Sequence, residues 1–312
     1  MIVAKMMGNL GNQMFIYAMA RGLQLRYGGE LIIDLSGLKR HYYTAGYKLD
    51  HFALPEEVSC DMGKLSPAER RFYDLSSRIF HLEHFFYRKT RKDLVIPRSV
   101  IMRWFRRGCY YCTNRPYFDF PESRSENKYL YGYFQAEEYF RPYRDQIRAE
   151  LRVTDPVSDT DRALMDAMGS QNAVGVSIRA QKAPENARVA DNVKLGFISK
   201  DYYLRGMEEI ARRVEDPVFY IFADDIEAVK REYDFPWPVT YVEPADSCAG
   251  IRLLYSCRHF VIANSTFSWW GAYLGSAPDK LVVMPAPWDR YGAERECIYF
   301  PDAIRLPCTF ED

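Results

Sequence analysis

Between Ala173 and Met284, short runs of β-branched and aromatic residues alternate with amphipathic segments, and this alternation constrains the 312-residue chain more than any other feature. Strands are expected at Ala173–Ile178, Val218–Phe222, Val239–Val242, His259–Ile262 and Leu281–Met284. Helices are expected at Asp201–Val214, Asp225–Tyr233, Ser247–Ser256 and Trp269–Leu274. In the first of these, Tyr203, Met207, Ile210 and Val214 share one face, while Glu208 with Arg212 and Glu209 with Arg213 support the other. Strands separated by helices of this length pair in parallel, and four or five such units make a doubly wound α/β domain. Pro285 and Pro287 are expected to close its sheet.

The N-terminus begins in the same manner. Ile2–Lys5 reads as a strand, Gly8-Asn9-Leu10-Gly11-Asn12-Gln13 as a turn, and Gln13–Tyr27 as a helix capped by Asn12 and stopped by Gly28-Gly29, before a strand at Leu31–Ile33. Residues 36–130 are rich in aromatics and arginine, helix-like at 67–90, with little periodic strand; irregular helical insertions are expected there. A helix is expected at 136–150, and Thr154-Asp155-Pro156 reads as a boundary between domains 1–155 and 156–312. Net charge is zero overall but divides into +7 and −7 at that boundary, which suits two modules with different partners and is too mild for nucleic acid.

Of seven thinly spread cysteines only Cys109 and Cys112 sit close together, and no second pair or histidine cluster completes a zinc site, so mostly free thiols in a reducing compartment are expected. The histidines at 41, 51, 81, 84 and 259 lack metal-ligand spacing. The first residues lack the zones of a secretory signal and no apolar run reaches the roughly 18 residues of a membrane span, so a cytoplasmic location is expected.

Ligands of open parallel sheets bind where strands end and helices begin. Three such junctions stand out. Gly8–Gln13 offers glycines, the amides of Asn12 and Gln13 and a helix N-terminus to an anion, or is a plain tight turn. Arg179, after Ile178, suits a bidentate grip on a diphosphate, or is a surface arginine paired with a carboxylate. Ala263-Asn264-Ser265-Thr266-Phe267-Ser268-Trp269-Trp270 gathers three hydroxyls and an amide at a helix start; its tryptophans read as core. Asp224-Asp225 are adjacent and point apart, so joint metal chelation is not expected. Asp225 reads as a helix cap, and Asp224 suits a base edge such as guanine N1 and N2.

In this order, the motifs resemble those of the bacterial α-1,2-fucosyltransferases of surface-glycan synthesis. Gly8-Asn9-Leu10-Gly11-Asn12-Gln13-Met14-Phe15 looks like the family's opening motif, and Gly132-Tyr133-Phe134-Gln135 with Glu138-Tyr139-Phe140 like its middle one. Phe222-Ala223-Asp224-Asp225-Ile226 and Ala263–Gly271 look like its late motifs, while residues 36–128 have no counterpart. The resemblance implies a GT-B-like fold, two Rossmann-like domains facing across a cleft, with residues 1–155 on the acceptor side and 156–312 binding the donor. It also implies GDP-fucose as donor, inversion and no obligatory metal or other cofactor. By the same resemblance Arg179 holds the β-phosphate, Gly11, Asn12 and Gln13 contact the donor, and Asp224, Asn264, Ser265, Thr266 and Ser268 surround the nucleotide. One departure stands out: where the family has His-x-Arg-Arg-Gly-Asp, this chain has Ser177-Ile178-Arg179-Ala180-Gln181-Lys182, losing the histidine, the second arginine and the aspartate. Lys182 is placed to restore the charge.

The implied reaction sends fucose to an acceptor hydroxyl, the 2-OH of a terminal galactose, in an oligosaccharide or lipid-linked glycan. Without a metal, the departing diphosphate must be neutralised by Arg179, helix ends and hydroxyls, and a base must take the acceptor's proton. Glu185 and Asp191 are the base candidates, or are loop carboxylates facing water. Rival readings are a transferase for another GDP-sugar or linkage, a catalytically impaired nucleotide-sugar or glycan-binding relative, and a dinucleotide oxidoreductase, whose glycine fingerprint is absent. Residues 85–107 carry eight cations, with Asp93 the sole acid, among Phe85, Phe86, Tyr87, Ile101, Trp104 and Phe105. Such a stretch suits weak peripheral contact with an anionic inner membrane, or is core aromatics with a cationic rim; Pro97 prevents one straight helix.

Overall fold

A computed structural model describes residues 1–39, 46–90, 97–112, 117–180, 196–290 and 296–311, without the side chains of 39, 83, 84 and 86–90. The chain divides into two compact units, Met1–Arg152 with Arg295–Ile298 and Val153–Glu294 with Tyr299–Asp312. The division thus falls after Arg152, and a short C-terminal segment returns to the first unit, where the Tyr117 N–H donates to Cys297 Sγ at 3.4 Å.

The first unit is built on β1 (Ile2–Lys5), α1 (Leu10–Tyr27), β2 (Leu31–Asp34), β3 (Val58–Ser59), α2 (Pro67–Thr90), α3 (Arg98–Phe105), β4 (Cys109–Tyr111), β5 (Lys128–Tyr131) and α4 (Arg144–Glu150). Its five strands run in parallel in the order β3-β2-β1-β5-β4. The sheet therefore includes three strands from the region where little strand was expected. Cys109-Tyr110-Tyr111 and Lys128–Tyr131 are buried at every position, and a parallel strand covered on both faces shows no polar–apolar alternation to read. Tyr73 and Phe80 of α2 pack with Ile101 of α3 against Tyr111, Tyr129 and Tyr131 of the sheet. The helix expected at 136–150 is two 3₁₀ turns, at 137–139 and 141–143, leading into the shorter α4, with Pro142 near the start of the second turn.

In the second unit, α5 (Asp159–Ser170) leads into β6 (Asn172–Ile178), then β7 (Phe197–Ile198), α6 (Lys200–Ala211), β8 (Pro217–Ala223), α7 (Ile226–Glu232), β9 (Val239–Val242), α8 (Ser247–Tyr255), β10 (His259–Ile262), α9 (Thr266–Leu274), β11 (Val282–Ala286), β12 (Ile304–Pro307) and β13 (Phe310–Glu311). Six strands form a parallel sheet in the order β12-β11-β10-β6-β8-β9, and β7 pairs with β13 in an antiparallel ribbon. Counted from the first strand of the sheet, this is the Rossmann order 3-2-1-4-5-6. The sheet continues past Pro285 and Pro287 to β12, whose Ile304 lies opposite Val283, so the prolines do not close it. Side chains of α6, notably Tyr202, Tyr203, Met207 and Ile210, complete the core with Val174, Val176, Phe219, Ile221 and Val261. Asp246 and Ser158 cap α8 and α5 by accepting N–H groups of the first turn.

Candidate functional site

A doubly wound sheet opens a crevice where its strand order reverses, at the carboxyl ends of the strands on either side. In the second unit that place lies between β6 and β10. Register sets Ile262 opposite Ser177 and Ala223 opposite Ile178, so Ala263, Arg179 and Asp224 leave the sheet at about the same level. Arg179 is consequently beside the loop that starts α9, although 85 residues separate it from Asn264. Its Nη1 donates to the Asn264 carbonyl at 3.4 Å, its backbone N–H to the Tyr203 hydroxyl at 3.4 Å, and its guanidinium lies 5.9 Å from the centre of the Phe197 ring.

Desolvation lowers the Arg179 pKa from its ordinary value, opposed by the nearby Asp224 carboxylate and by Tyr203. Arginine stays charged regardless. Among the described residues no carboxylate comes within 4.0 Å of it, leaving a half-buried cation whose desolvation is not offset by a direct ion pair. Asp224 Oδ1 instead accepts the Ala180 N–H at 2.7 Å, holding the backbone just after Arg179. Its neighbour Asp225 caps α7 by accepting from the Ala228 N–H at 2.9 Å, so the two carboxylates have separate tasks.

The start of α9 presents the complementary end. Ser265 is its N-cap residue but makes no side-chain cap hydrogen bond, and among the described residues nothing engages the Ser265 or Thr266 hydroxyl. First-turn N–H groups and two hydroxyls are therefore available to an anion beside Arg179.

The first unit repeats the arrangement. Its strand order reverses between β1 and β5, and the loops after these strands meet: Gln135 Nε2 donates to Asn12 Oδ1 at 2.8 Å. Gly8, at φ +78, has the Asn12 amide beside it; a Cβ there would lie 2.5 Å from Nδ2. With Oδ1 engaged by Gln135 and no partner for Nδ2 among the described residues, the donor end of the Asn12 amide remains for a ligand.

Several expected residues are used differently. Helix α1 begins at Leu10 with Asn9 as its N-cap, so Gly11, Asn12 and Gln13 belong to its first turns and Asn12 is not the cap. Gly11 is buried there. Gln13 is fully buried, with Nε2 donating to the carbonyls of Gly8 and Gly46 and Oε1 accepting the Lys48 N–H; its amide braces the loops and is not available to a donor. Ser268 is 1% exposed and shares a 2.7 Å hydrogen bond with Ser177, which stands where the resembled family has histidine, so its hydroxyl faces the core. The Asn264 side chain is likewise buried and donates to the Gly196 carbonyl at 3.2 Å, while its backbone carbonyl meets Arg179. Trp269 and Trp270 are core. Glu185, Asp191, Gln181 and Lys182 lie outside the described residues. Gln135 was not singled out as a site residue by sequence reasoning, although its motif was; the signal was an amide three residues after the glycine that follows β5.

Among the described residues no group of three or more His, Cys, Asp or Glu is placed to hold a metal ion, and no helix is long and apolar enough to cross a membrane.

Comparison with known proteins places this geometry in a family. An α-1,2-colitosyltransferase of Escherichia coli is 25% identical over 293 residues, covering 92% of each chain. A galactoside 2-α-L-fucosyltransferase of Mus musculus, Sec1, is 26% identical over 187 residues, covering 56% of this chain and 49% of the relative. Among solved structures, the fucosyltransferase NodZ from Bradyrhizobium superposes with a TM-score of 0.49 at 16% identity, covering 89% of this chain and 93% of its own. The family description "Glycosyl transferase family 11" matches residues 1–304, and with nearly the whole length matched the chain belongs to that family and is a glycosyltransferase.

Proposed function

We propose that the chain transfers fucose from GDP-fucose to the 2-hydroxyl of a terminal galactose in a glycan acceptor, with inversion at the anomeric carbon. The observation that carries this reading is Arg179, a half-buried cation at a sheet's switch point beside the open start of α9. A cation with no carboxylate within 4.0 Å among the described residues, next to open N–H groups, suits an anion with several oxygens, as a nucleoside diphosphate has. Asp224, Ser265, Thr266 and, oriented by Gln135, Asn12 are proposed as further donor contacts.

In the reaction the acceptor oxygen bonds to the anomeric carbon on the face opposite GDP, and the bond from that carbon to the β-phosphate oxygen breaks. Negative charge grows on the diphosphate, where Arg179 and the α9 N-terminus stabilise it more in the transition state than in the bound donor. The acceptor's proton passes to a base, for which Glu185 and Asp191 are the candidates. Because arginine and helix dipole supply the positive charge, no metal is required in this scheme. An acceptor carried on lipid would meet the enzyme at a membrane surface.

Fucose as donor sugar and galactoside as acceptor are supported by the name of the mouse relative, and a second reading, transfer of colitose, by that of the Escherichia coli relative. The test is incubation with GDP-fucose or GDP-colitose, with and without galactose-terminated oligosaccharides, followed by GDP release and NMR of the product. Acceptor-dependent GDP release, with sugar at O2 in the configuration opposite to the donor's, is expected with GDP-fucose. Turnover with GDP-colitose alone selects the second reading. Tight binding of both donors without turnover would make the chain a binding protein.

A further inference from the structure

The described residues include three exposed large hydrophobic side chains, Leu75, Leu82 and Phe85, and all three belong to α2. Their relative exposures are 57%, 67% and 55%. With exposed Arg71 and Arg78 they follow the spacing 71, 75, 78, 82, 85, alternately four and three residues apart, which sets all five on one helical face. The opposite face is anchored. Tyr73 donates to Asp34, Ser76 and Tyr131 share a hydrogen bond of 2.7 Å, and Phe80 packs on Tyr111. The stripe is therefore the outer surface of a docked helix. Single exposed apolar residues need no explanation, but a contiguous row of them marks an interaction surface.

We propose that this face of α2 docks on an anionic lipid surface. The charge on the face selects that occupant. Among the described residues neither Arg71 nor Arg78 forms an ion pair, whereas Asp74, at the edge of the stripe, is held by Arg70 at 3.2 Å. Helix α3 leans on the same aromatic core, with Trp104 5.5 Å from the Tyr111 ring, and presents exposed Arg98 and Arg103, with Arg106 following. Leucine and phenylalanine can enter the boundary between headgroups and acyl chains while arginines at the same level bind lipid phosphates, so the helix lies flat. A second copy of the chain fits less well: antiparallel pairing centred on Arg78 opposes Arg78 to Arg78, and parallel pairing opposes every arginine to itself. The basic segment read from the sequence at 85–107 changes character accordingly. Ile101 and Phe105 are core, the side chains of 86–90 and residues 91–96 lie outside the described ones, and the exposed large apolar side chains among the described residues are on α2.

The test needs no catalytic activity. The purified full chain is sedimented with phosphatidylcholine vesicles with and without phosphatidylserine, at low and physiological salt, beside the double variants Leu75→Glu/Leu82→Glu and Arg71→Gln/Arg78→Gln. Wild type is expected to bind the anionic vesicles at least about tenfold better than the neutral ones, and either double variant to lose roughly that factor. All four side chains are exposed, so both variants are expected to unfold at the wild-type temperature, and a variant that does not is replaced by its single substitutions. Equal, low binding to both vesicle types overturns the proposal. So does anionic binding that both variants retain, or a wild-type dimer that Leu75→Glu/Leu82→Glu converts to monomer without any vesicle dependence.

Discussion

Gln135 Nε2 donates to Asn12 Oδ1 at 2.8 Å, joining two loops 123 residues apart at the point where the strand order of the first sheet reverses. An amide left to itself can turn its oxygen or its nitrogen towards a ligand. Here the donor on Gln135 selects the rotamer in which Asn12 keeps Nδ2 available. Replacing Gln135 by Glu removes that donor and sets a carboxylate against Oδ1, favouring the flipped amide. The expected result for Gln135→Glu is a loss of about tenfold or more in kcat/KM for GDP-fucose, with a stability change near 1 kcal/mol, the scale of one hydrogen bond. Steady-state kinetics beside thermal unfolding check it; activity within about twofold of wild type would remove Asn12 orientation from the scheme.

Arg179→Ala is expected to lower kcat/KM by about 10²–10³-fold, the usual scale for losing one preorganised charge on a developing anion. The fold should persist, because in the described structure the guanidinium's hydrogen bond is a 3.4 Å contact to the Asn264 carbonyl. Arg179→Lys should also be poor, since an ammonium cannot grip two phosphate oxygens in a planar fork. Activity of the alanine variant within about threefold of wild type, under ~0.7 kcal/mol of barrier, would refute the assignment.

Turnover is expected to continue in the presence of a chelator such as EDTA. The proposed site relies on Arg179 and the first turn of α9 for positive charge, and Asp224 and Asp225 are committed to the Ala180 and Ala228 N–H groups. A complete loss of activity that Mg²⁺ or Mn²⁺ restores would show that the diphosphate is neutralised by a metal instead.

Asp34, at the carboxyl end of β2, gives the first unit a specific pH response. Burial alone raises a carboxyl pKa, but hydrogen bonds from Tyr73 and Ser36 and the Lys5 ammonium at 3.3 Å bring Asp34 below its ordinary value. A depressed folded-state pKa means stability that is present above the unfolded carboxylate pKa of about 3.9 and is lost as pH falls through the lower folded value. Unfolding free energy of the wild type should therefore decline as pH drops below about 5, and Asp34→Asn should show a shallower decline. Denaturant titrations at several pH values decide it; identical slopes in the two proteins would mean that other carboxylates carry the acid sensitivity.

The alternation of strand and helix from β6 to β11 was legible in the sequence because periodicity is local: which face of an element is buried is encoded in its own side chains. So were the chemistry-bearing loops, since glycines, amides and hydroxyls cluster where strands end. Legibility failed at β4 and β5, buried on both faces, and at Asn12 and Gln13, adjacent amides with the same chemistry. About 100° apart around α1, one is committed to backbone groups of Gly8, Gly46 and Lys48 and the other is held at the strand ends by Gln135. Likewise Ser265 and Ser268 occupy one motif, yet the helix turns Ser268 inward to Ser177 and leaves Ser265 at the open end. Local patterning along the chain is enough for the inventory of elements and the kinds of group at their ends. Tertiary structure decided strand order, and through it the meeting of Arg179 with Asn264 and of Gln135 with Asn12, because parallel strands pair through backbone groups common to all residues and are sorted only by the packing of the whole core.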